Sequence, residues 1–279
     1  MPEGPEVAII KNGLQKLLKG LTIKSLTFTN GRYKHKHPDG YDNFTSILPL
    51  KILDVKCKGK LLYFEFDKNV VLLNTLGMSG GWFIKDKDHS HATLEYYDPQ
   101  DPSKIYKIYY CDVRRFGTFK FIDKKDLRGK LEQIGTDLLA EKISDEDFIK
   151  KYRKYNKKMI DSVIHDQKIF SGVGNYLKAE VLYEAKISPY SRIEKIPDDK
   201  LKELKKIIQD KIQQSYKLGG ASVRNYSDIN AKDGAFQTFF KVYGKKTVNG
   251  LDVISEQIGV KGKNGQRTYY VKEVQILYE

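Results

Sequence analysis

The spacing of apolar residues changes early in the chain from a helical period to short strand-like runs. Residues 5–19 carry apolar side chains at helical spacing, and Gly20 follows as a stop signal. A series of apolar runs then extends to residue 123, and each run is bounded by Asn, Asp, Gly or Pro, as is typical of strands. One helix followed by many short strands predicts an antiparallel β-sandwich or barrel.

The second half of the chain is dominated by helical patterns. The last of them has an apolar stripe with a period near 3.6 and ends at Gly219, and strand-like sequence returns towards the C-terminus. An α+β protein of several domains is therefore expected. We predict a β-sandwich domain at residues 1–124, a linker at 125–143, a helical domain at 144–235 and a strand-containing region at 236–279.

Composition favours a polyanionic partner. The formal net charge is +14, and 40% of the residues are hydrophobic, which is enough for real cores. A solvated lysine-rich surface is the alternative explanation of the charge. The two cysteines, Cys57 and Cys111, form no zinc-type cluster, so we expect buried free thiols and no metal. The first residues resemble no signal peptide and no apolar run reaches membrane length, so we expect a soluble intracellular protein.

The opening sequence MPEGPEV places a proline and two glutamates before the first helix. Helix punctuation explains this pattern, because proline and acidic residues both suit a first helical turn. A catalytic explanation depends on removal of Met1, which turns Pro2 into a terminal secondary amine. Such an amine is a far better nucleophile at pH 7 than a lysine side chain, and Glu3 could shuttle protons beside it. Glu6 could orient a water molecule or support a developing positive charge.

Two further stretches carry residues suited to phosphate binding. In GVGN, glycines lead into Asn175 where a helix is expected to begin, and Gly174 allows close approach of a phosphate to free N–H groups. An ordinary helical corner explains the same pattern. In CKGK, Lys60 follows a glycine at the start of an apolar strand, either as a solvated charge or as a phosphate contact.

Two short loops combine residues that suit contact with stacked bases. LGMSG places Met78 between glycine-containing turns, and DVRRFG places Arg114, Arg115 and Phe116 together. Guanidinium groups can contact base edges or phosphates, while exposed methionine and phenylalanine can enter a base stack. For either loop alone, a buried methionine and a structural arginine remain an alternative.

Taken in order, these motifs resemble the formamidopyrimidine-DNA glycosylase/endonuclease VIII family. MPEGPEV, CKGK, LGMSG, DVRRFG, GVGNYLKAEVLY, KVYGKK and GQRTYYVKEVQ span almost the whole chain. The resemblance implies an N-terminal helix with an antiparallel β-sandwich. It also implies a C-terminal helix–two-turn–helix domain that ends in a β-hairpin finger. Enzymes of this family excise oxidised bases from DNA and cut the strand by β,δ-elimination.

The resemblance also implies a role for each matching residue. Pro2 resembles the nucleophile, Glu3 the general acid/base, and Glu6 a supporting carboxylate. Contacts to phosphates are implied for Lys60, Asn175 beside Gly174, and the finger residue Arg267. The residues implied to fill the space left by a flipped base are Met78, Arg114 and Phe116, with Arg115 beside them in the DNA-binding loop.

Two departures from the bacterial pattern affect the expected cofactor and lesion. The finger contains no cysteine, and Val271 and Val274 stand where a second zinc-binding pair is expected, so the chain is similar to the zincless branch that includes endonuclease VIII-like 1. Thr75 stands where a histidine often precedes LGMSG, which weakens a purine-first preference. Residues 219–238 lie where the family varies its lesion-recognition loop.

The sequence therefore predicts a bifunctional DNA glycosylase and AP lyase of base excision repair that needs no metal or organic cofactor. Oxidised pyrimidines and hydantoins are the favoured substrates, and ring-opened purines are possible. We expect a monomer that acts on damaged duplex DNA. Whether it also acts on bubble or single-stranded DNA is left open by the sequence. The expected location is the nucleus or wherever the DNA is replicated, which is the cytoplasm for a microbial or viral protein. The alternative is a catalytically silent protein that binds damaged DNA with the same fold.

Overall fold

The computed structural model describes residues 2–222, 226–258 and 267–279. Contacts divide the chain into two compact units. The first contains residues 1–133 and 218–237, and the second contains residues 134–217 and 238–279.

The first helix, α1 (Gly4–Leu18), lies where the apolar period predicts it. Glu3 is its N-cap and Pro5 lies in its first turn, where a missing N–H costs no helical hydrogen bond. Val7, Ile10 and Leu14 are almost completely buried on one face. The predicted helix is therefore confirmed, and its apolar face forms part of the core of the first unit.

Eight strands form one antiparallel sheet in the first unit, in the order β5-β7-β6-β1-β2-β3-β4-β8. Two short helices lie between the first two strands. The bounds are β1 (Thr22–Phe28), α2 (Arg32–His35), α3 (Tyr41–Ser46), β2 (Leu50–Lys58), β3 (Leu61–Phe66), β4 (Val70–Thr75), β5 (Gly80–Phe83), β6 (Ser90–Asp98), β7 (Asp101–Asp112) and β8 (Thr118–Asp123).

The two halves of this sheet share a single core, which confirms the predicted sandwich. Strands β1 and β2 are paired over only a short stretch, and they connect the two halves. Trp82 of one half packs against Phe64 and Phe119 of the other half with ring centroids 5.7 and 6.0 Å apart. The indole N–H of Trp82 donates to Asn74 Oδ1 at 2.9 Å, so this buried polar group keeps a partner.

The predicted linker at residues 125–143 contains regular structure. Helix α4 (Lys124–Glu132) buries Leu127 against the outer face of the sheet, and β9 (Thr136–Asp137) follows it. The apolar pattern missed this helix because Leu127 is its one buried residue and most of its other positions are charged.

The second unit contains the expected helices and terminal hairpins. Ser144 caps the helix Asp145–Arg153 by accepting the N–H of Asp147 at 3.0 Å. After the strand Arg267–Tyr270 the predicted strand-like sequence forms turns instead, in which Val271 O accepts the N–H groups of Val274 and Gln275. The elements are α5 (Asp145–Arg153), α6 (Ile160–Ile164), β10 (Phe170–Ser171), α7 (Asn175–Glu184), α8 (Asp198–Lys217), β11 (Thr247–Val248), β12 (Leu251–Asp252), β13 (Ile254–Gln257) and β14 (Arg267–Tyr270).

Residues 218–237 belong to the first unit, whereas the sequence placed residues up to 235 in the helical domain. Tyr226 and Ile229 are buried in the core of the first unit. Gly13 of α1 leaves the space that Ile229 occupies, because a Cβ at Gly13 would lie 2.8 Å from the Ile229 side chain. Two apolar side chains thus anchor this segment, although it has no periodic pattern.

The burial of the two cysteines and the length of the helices bear on the expected environment of the protein. Cys111 is buried but Cys57 is only partly so, and both are free thiols. Across the described residues, no helix is both long and apolar enough for a membrane span.

Candidate functional site

The start of α1 holds two buried carboxylates next to Pro2. Glu3 and Glu6 are 1% and 0% exposed, and Pro2 is buried. Glu6 Oε2 accepts the backbone N–H of Glu3 at 2.7 Å, as part of a capping box between the two residues. The positive end of the helix dipole favours negative charge here. The hydrogen bond between Glu3 and Glu6 therefore holds both carboxylates close to Pro2.

The second oxygen of Glu6 binds a distant part of the chain. Glu6 Oε1 accepts the backbone N–H of Ala221 at 2.8 Å. Gly220 permits this approach, because its φ is +82° and a Cβ there would lie 2.9 Å from the Glu6 side chain. Each oxygen of Glu6 thus accepts a backbone N–H, which suits a positioning role. From the sequence, we expect Glu6 to orient a water molecule or to support a positive charge.

Lys60 shares the electrostatic environment of these carboxylates. Gly59 and Lys60 connect β2 to β3, and the positive φ of Gly59, +54°, suits the first central position of such a hairpin turn. Burial lowers the pKa of the Lys60 ammonium, and the charges of Glu3 and Glu6 act on it in the opposite direction. The structure therefore brings Glu3, Glu6 and Lys60 together.

A buried aspartate that the sequence did not single out holds the LGMSG and DVRRFG loops. Asp112 is 0% exposed. Its Oδ1 accepts the Ser79 hydroxyl and the Arg114 N–H, and its Oδ2 accepts the Gly117 N–H at 2.8 Å. Its place at the end of an apolar strand gave no sign of this role. One carboxylate thus fixes both loops relative to each other.

These contacts leave the predicted stacking residues exposed at adjacent loop tips. Met78 is 37% exposed and Phe116 is 55% exposed, and the Arg114 guanidinium lies 5.5 Å from the Phe116 ring centre. Arg115 is exposed and adopts a left-handed backbone with φ of 57°. A Cβ at Gly77 would lie 3.0 Å from the Phe116 Cβ, so the two tips are in close contact.

Exchange of Asp112 for asparagine should loosen both loops. The NH₂ group of asparagine would face hydrogen-bond donors that the carboxylate of Asp112 now accepts. Loss of these charge-assisted hydrogen bonds should lower the free energy of unfolding by about 3 kcal/mol. Thermal unfolding should show the loss, and 2-aminopurine opposite a lesion should report weaker insertion of Met78 and Phe116. Ser79→Ala removes one of the three donors and should have a much smaller effect. Equal effects of the two variants would contradict this role of Asp112.

In the second unit, the start of α7 carries the residues that the sequence predicts to contact a phosphate. Gly174 is the N-cap, Asn175 is the first residue, and Asn175 Oδ1 is buried without a partner among the described residues. Gln167, which the sequence analysis missed, holds the preceding loop. Its Nε2 donates to Val173 O at 2.7 Å, and its Oε1 accepts the Gly172 N–H at 3.0 Å. The backbone N–H groups and the dipole at the start of a helix favour an anion such as phosphate.

Arg267 lies at the start of β14 in the terminal hairpin. Its guanidinium is exposed and donates to Ser255 Oγ at 3.1 Å. The next residue, Thr268, donates to buried Asp161 at 2.8 Å, and Lys178 of α7 forms an ion pair with that carboxylate at 2.7 Å. This buried group, also missed from the sequence, ties the hairpin to α7. In the first unit the predicted site residues thus form two groups, at the start of α1 with Lys60 and at the two loop tips, and Gly174, Asn175 and Arg267 belong to the second unit.

No group of three or more His, Cys, Asp or Glu side chains that could hold a metal ion occurs within residues 2–222, 226–258 and 267–279. Both cysteines of the chain lie in the first unit. The terminal hairpin is held by pairing of β13 with β14 and by an apolar cluster that includes Val242 and Val271.

Comparison with known proteins agrees with this arrangement. Residues 1–119 match the formamidopyrimidine-DNA glycosylase N-terminal domain, and residues 134–227 match the H2TH domain of the same enzymes. Formamidopyrimidine-DNA glycosylase of Lactobacillus johnsonii is 30% identical, with 100% of both chains covered. That of Rickettsia africae is 31% identical, with 99% of both covered. These relatives are bacterial, which gives no support to a nuclear location.

Solved structures of a Lactococcus lactis relative are also similar. Its complex with abasic-site DNA has a TM-score of 0.83 at 26% identity, and 98% of this chain and 99% of that chain are covered. A complex of a variant with DNA containing Fapy-dG has a TM-score of 0.84 at 27% identity, with the same coverage. The family models and the full-length relatives show that the chain belongs to the formamidopyrimidine-DNA glycosylase family, whose members are DNA glycosylases and AP lyases.

Proposed function

We propose that this DNA repair glycosylase removes oxidised bases through a Schiff base at Pro2 and then cuts the strand by β,δ-elimination. The observation that carries the proposal is the arrangement at the start of α1, where Glu3 follows Pro2 directly and shares its environment with Lys60. An amine, a carboxylate and a phosphate-binding cation are the three groups that this reaction requires.

The first step uses Pro2 as the nucleophile after Met1 has been removed. A terminal amine has a pKa near 8, so roughly a tenth of it is neutral at pH 7. The Pro2 nitrogen attacks C1′, the bond from C1′ to the base breaks, and the base leaves with a proton. Glu3 gives a proton to the leaving base, takes up the proton that the Pro2 nitrogen loses, and gives it to the sugar oxygen as the ring opens. The product is an iminium ion between Pro2 and C1′.

The iminium ion then acts as an electron sink for two eliminations. Loss of a proton from C2′ breaks the bond from C3′ to its phosphate, and loss of a proton from C4′ in a second elimination releases the phosphate on C5′. Lys60 holds one of these phosphates in this proposal. Because burial lowers the pKa of Lys60, an approaching phosphate would stabilise the charged ammonium. The gap that remains carries a phosphate at each end.

Binding of DNA is assigned to both units. Met78, Arg114 and Phe116 fill the space left by the flipped base, and flipping costs least for a damaged, weakly paired base. Asn175 and Gly174 at the start of α7, together with Arg267, contact phosphates. We propose a monomer that acts on duplex DNA.

Oxidised pyrimidines and hydantoins are the proposed substrates, ahead of ring-opened purines. Thr75 in place of histidine and the cysteine-free hairpin support this order. For the Lactococcus lactis relative, complexes exist with DNA that contains Fapy-dG or an oxidised pyrimidine. Cleavage rates on matched duplexes with each lesion will establish the order for this chain.

The alternative is a silent protein that binds damaged DNA, and borohydride trapping distinguishes the two. Incubation with an abasic-site duplex and sodium borohydride should leave a covalent adduct that maps to a peptide beginning with Pro2. Pro2→Gly, which keeps a terminal primary amine, serves as the control for the attachment site. Intact DNA binding without an adduct, in protein shown by mass to lack Met1, would favour the silent protein and overturn the enzymatic proposal.

A further inference from the structure

A groove of about 1000 Å³ lies in the second unit, and its lining contains none of the residues assigned to catalysis. Its floor is mainly apolar, and Leu277 in it is 45% exposed. Its rim is cationic. The floor residues are Met159, Tyr190, Leu277 and Tyr278, and the rim cations are Lys157, Lys158, Arg192 and Lys195.

The four rim cations are exposed, and none forms an ion pair with another described residue. Lys158 makes one weaker contact, with its Nζ 5.0 Å from the centre of the Tyr155 ring. Nearby Arg153, in contrast, pairs with Asp198. Of the described residues that line the groove, Glu279 is the one with an acidic side chain. The rim therefore presents excess positive charge to whatever enters the groove.

The floor is held in a fixed shape by hydrogen bonds. Tyr190 donates to Glu256 at 2.7 Å, and burial together with this contact raises the pKa of Tyr190 to about 12. The Arg192 N–H donates to Tyr278 O at 3.2 Å, and Arg192 also forms a bridge with Met159. A preformed groove requires little ordering when a ligand binds.

The groove is lined by residues at the start of α6, by the loop that follows α7 and by residues 277–279. A DNA backbone has no large apolar group to bury against Leu277 and Met159. The combination of apolar floor and cationic rim fits a peptide better than a nucleic acid.

We propose that this groove binds an acidic peptide segment of a partner protein, which places a hydrophobic side chain on the floor and carboxylates on the rim. Charge complementarity selects an acidic partner, and the exposed apolar floor selects an aliphatic or aromatic anchor.

Fluorescence anisotropy with labelled synthetic peptides tests this directly. The probes are six-residue peptides with four aspartates followed by Leu-Phe, Phe-Leu or Trp-Leu, titrated with the full chain. We expect saturable binding that weakens as salt is raised. Replacing the two hydrophobic residues by glycine, or the aspartates by asparagine, should each weaken binding roughly tenfold or more. These peptide variants need no change to the protein and so do not depend on its folding.

Charge reversal in the protein locates the site. Lys157→Glu with Arg192→Glu should weaken peptide binding roughly tenfold or more, and Leu277→Ser should also weaken it. The matched control, Lys202→Glu with Lys206→Glu on α8, changes the net charge equally and should bind the peptide with little loss. Binding of an abasic-site duplex and its trapping by borohydride should be the same in both double variants.

Three results would overturn the proposal. The first is absence of saturable binding for all three hydrophobic peptides, and the second is equal loss in the two double variants, which indicates attraction by net charge alone. The third is a parallel loss of DNA and peptide binding in the groove variant only, which makes the groove a DNA contact. If the wild-type protein forms no borohydride-trapped adduct with an abasic-site duplex, the proposed function fails. The peptide-binding result is unaffected by that outcome.

Discussion

Replacement of Glu3 by glutamine should slow base removal by a factor of about 10² to 10⁴, while binding of damaged DNA stays within about twofold of the wild type. Glutamine has the shape of glutamate, and its oxygen can still accept the N–H that caps α1. It has no proton to give to a leaving base and cannot take one from C2′. The loss should therefore appear in the chemical step.

Single-turnover excision from a lesion duplex measures this rate, and anisotropy with a non-cleavable abasic analogue measures binding. The variant should unfold at nearly the same temperature as the wild type, since the backbone N–H of Glu3 still reaches Glu6. Full excision activity would exclude Glu3 as the acid/base group. A parallel loss of binding and rate would instead assign it a structural role.

The architecture of the first unit was largely predictable because its elements carry clear periods. The stripe that includes Val7 and Ile10 identified α1, and strand patterns identified the sandwich. Helix α4 was missed for a physical reason. It packs through buried Leu127 and partly buried Leu131, and two leucines among charges in a nine-residue helix are too few to define a period.

The candidate site was predictable only where one short motif carries it. Asn175 at the start of α7 follows from two local glycines, and the structure places it there. Asp112 could not be found in this way. Its three hydrogen bonds reach Ser79, Arg114 and Gly117, and only the folded pairing of β5 with β7 brings Ser79 and Asp112 together. A single aspartate at a strand end is otherwise unremarkable in sequence.

Contacts between distant parts of the chain explain why residues 218–237 belong to the first unit and not to the predicted helical domain. Its anchors are a hydrogen bond from Ala221 to Glu6, 215 residues apart in sequence, and the burial of Tyr226 and Ile229. Neither anchor leaves a local pattern. The resemblance to a known family placed a variable lesion-recognition loop here, but it did not predict that a proposed site residue would hold it.

Substitution of Glu6 by glutamine tests the connection between Glu6 and the segment at residues 218–237. Glu6 now offers one carboxylate oxygen to Glu3 N–H and the other to Ala221 N–H. Glutamine offers one oxygen, and its NH₂ group would face the other donor. Loss of one buried hydrogen bond to a charged group, with a donor left unsatisfied, predicts about 2 kcal/mol of destabilisation. A decrease of about 4–8 °C in the unfolding temperature should follow.

The effect on turnover should exceed this loss of stability. At temperatures where the variant is fully folded, excision should be reduced by about tenfold or more, because Glu3 and residues 218–237 lose their common anchor. Hydrogen exchange should show faster opening of residues 218–222 and 226–237 in the variant.

Glu65→Gln is the matched control, because Glu65 lies in the same unit and is 8% exposed. Its carboxylate forms an ion pair with Lys56 at 2.6 Å and is not one of the site residues. It should lower stability and leave the excision rate of the folded protein unchanged. If the two variants lose stability and both keep the wild-type rate, Glu6 only stabilises the fold. If Glu6→Gln alone loses rate and hydrogen-exchange protection, the N-terminal carboxylates and the segment at residues 218–237 function as one unit.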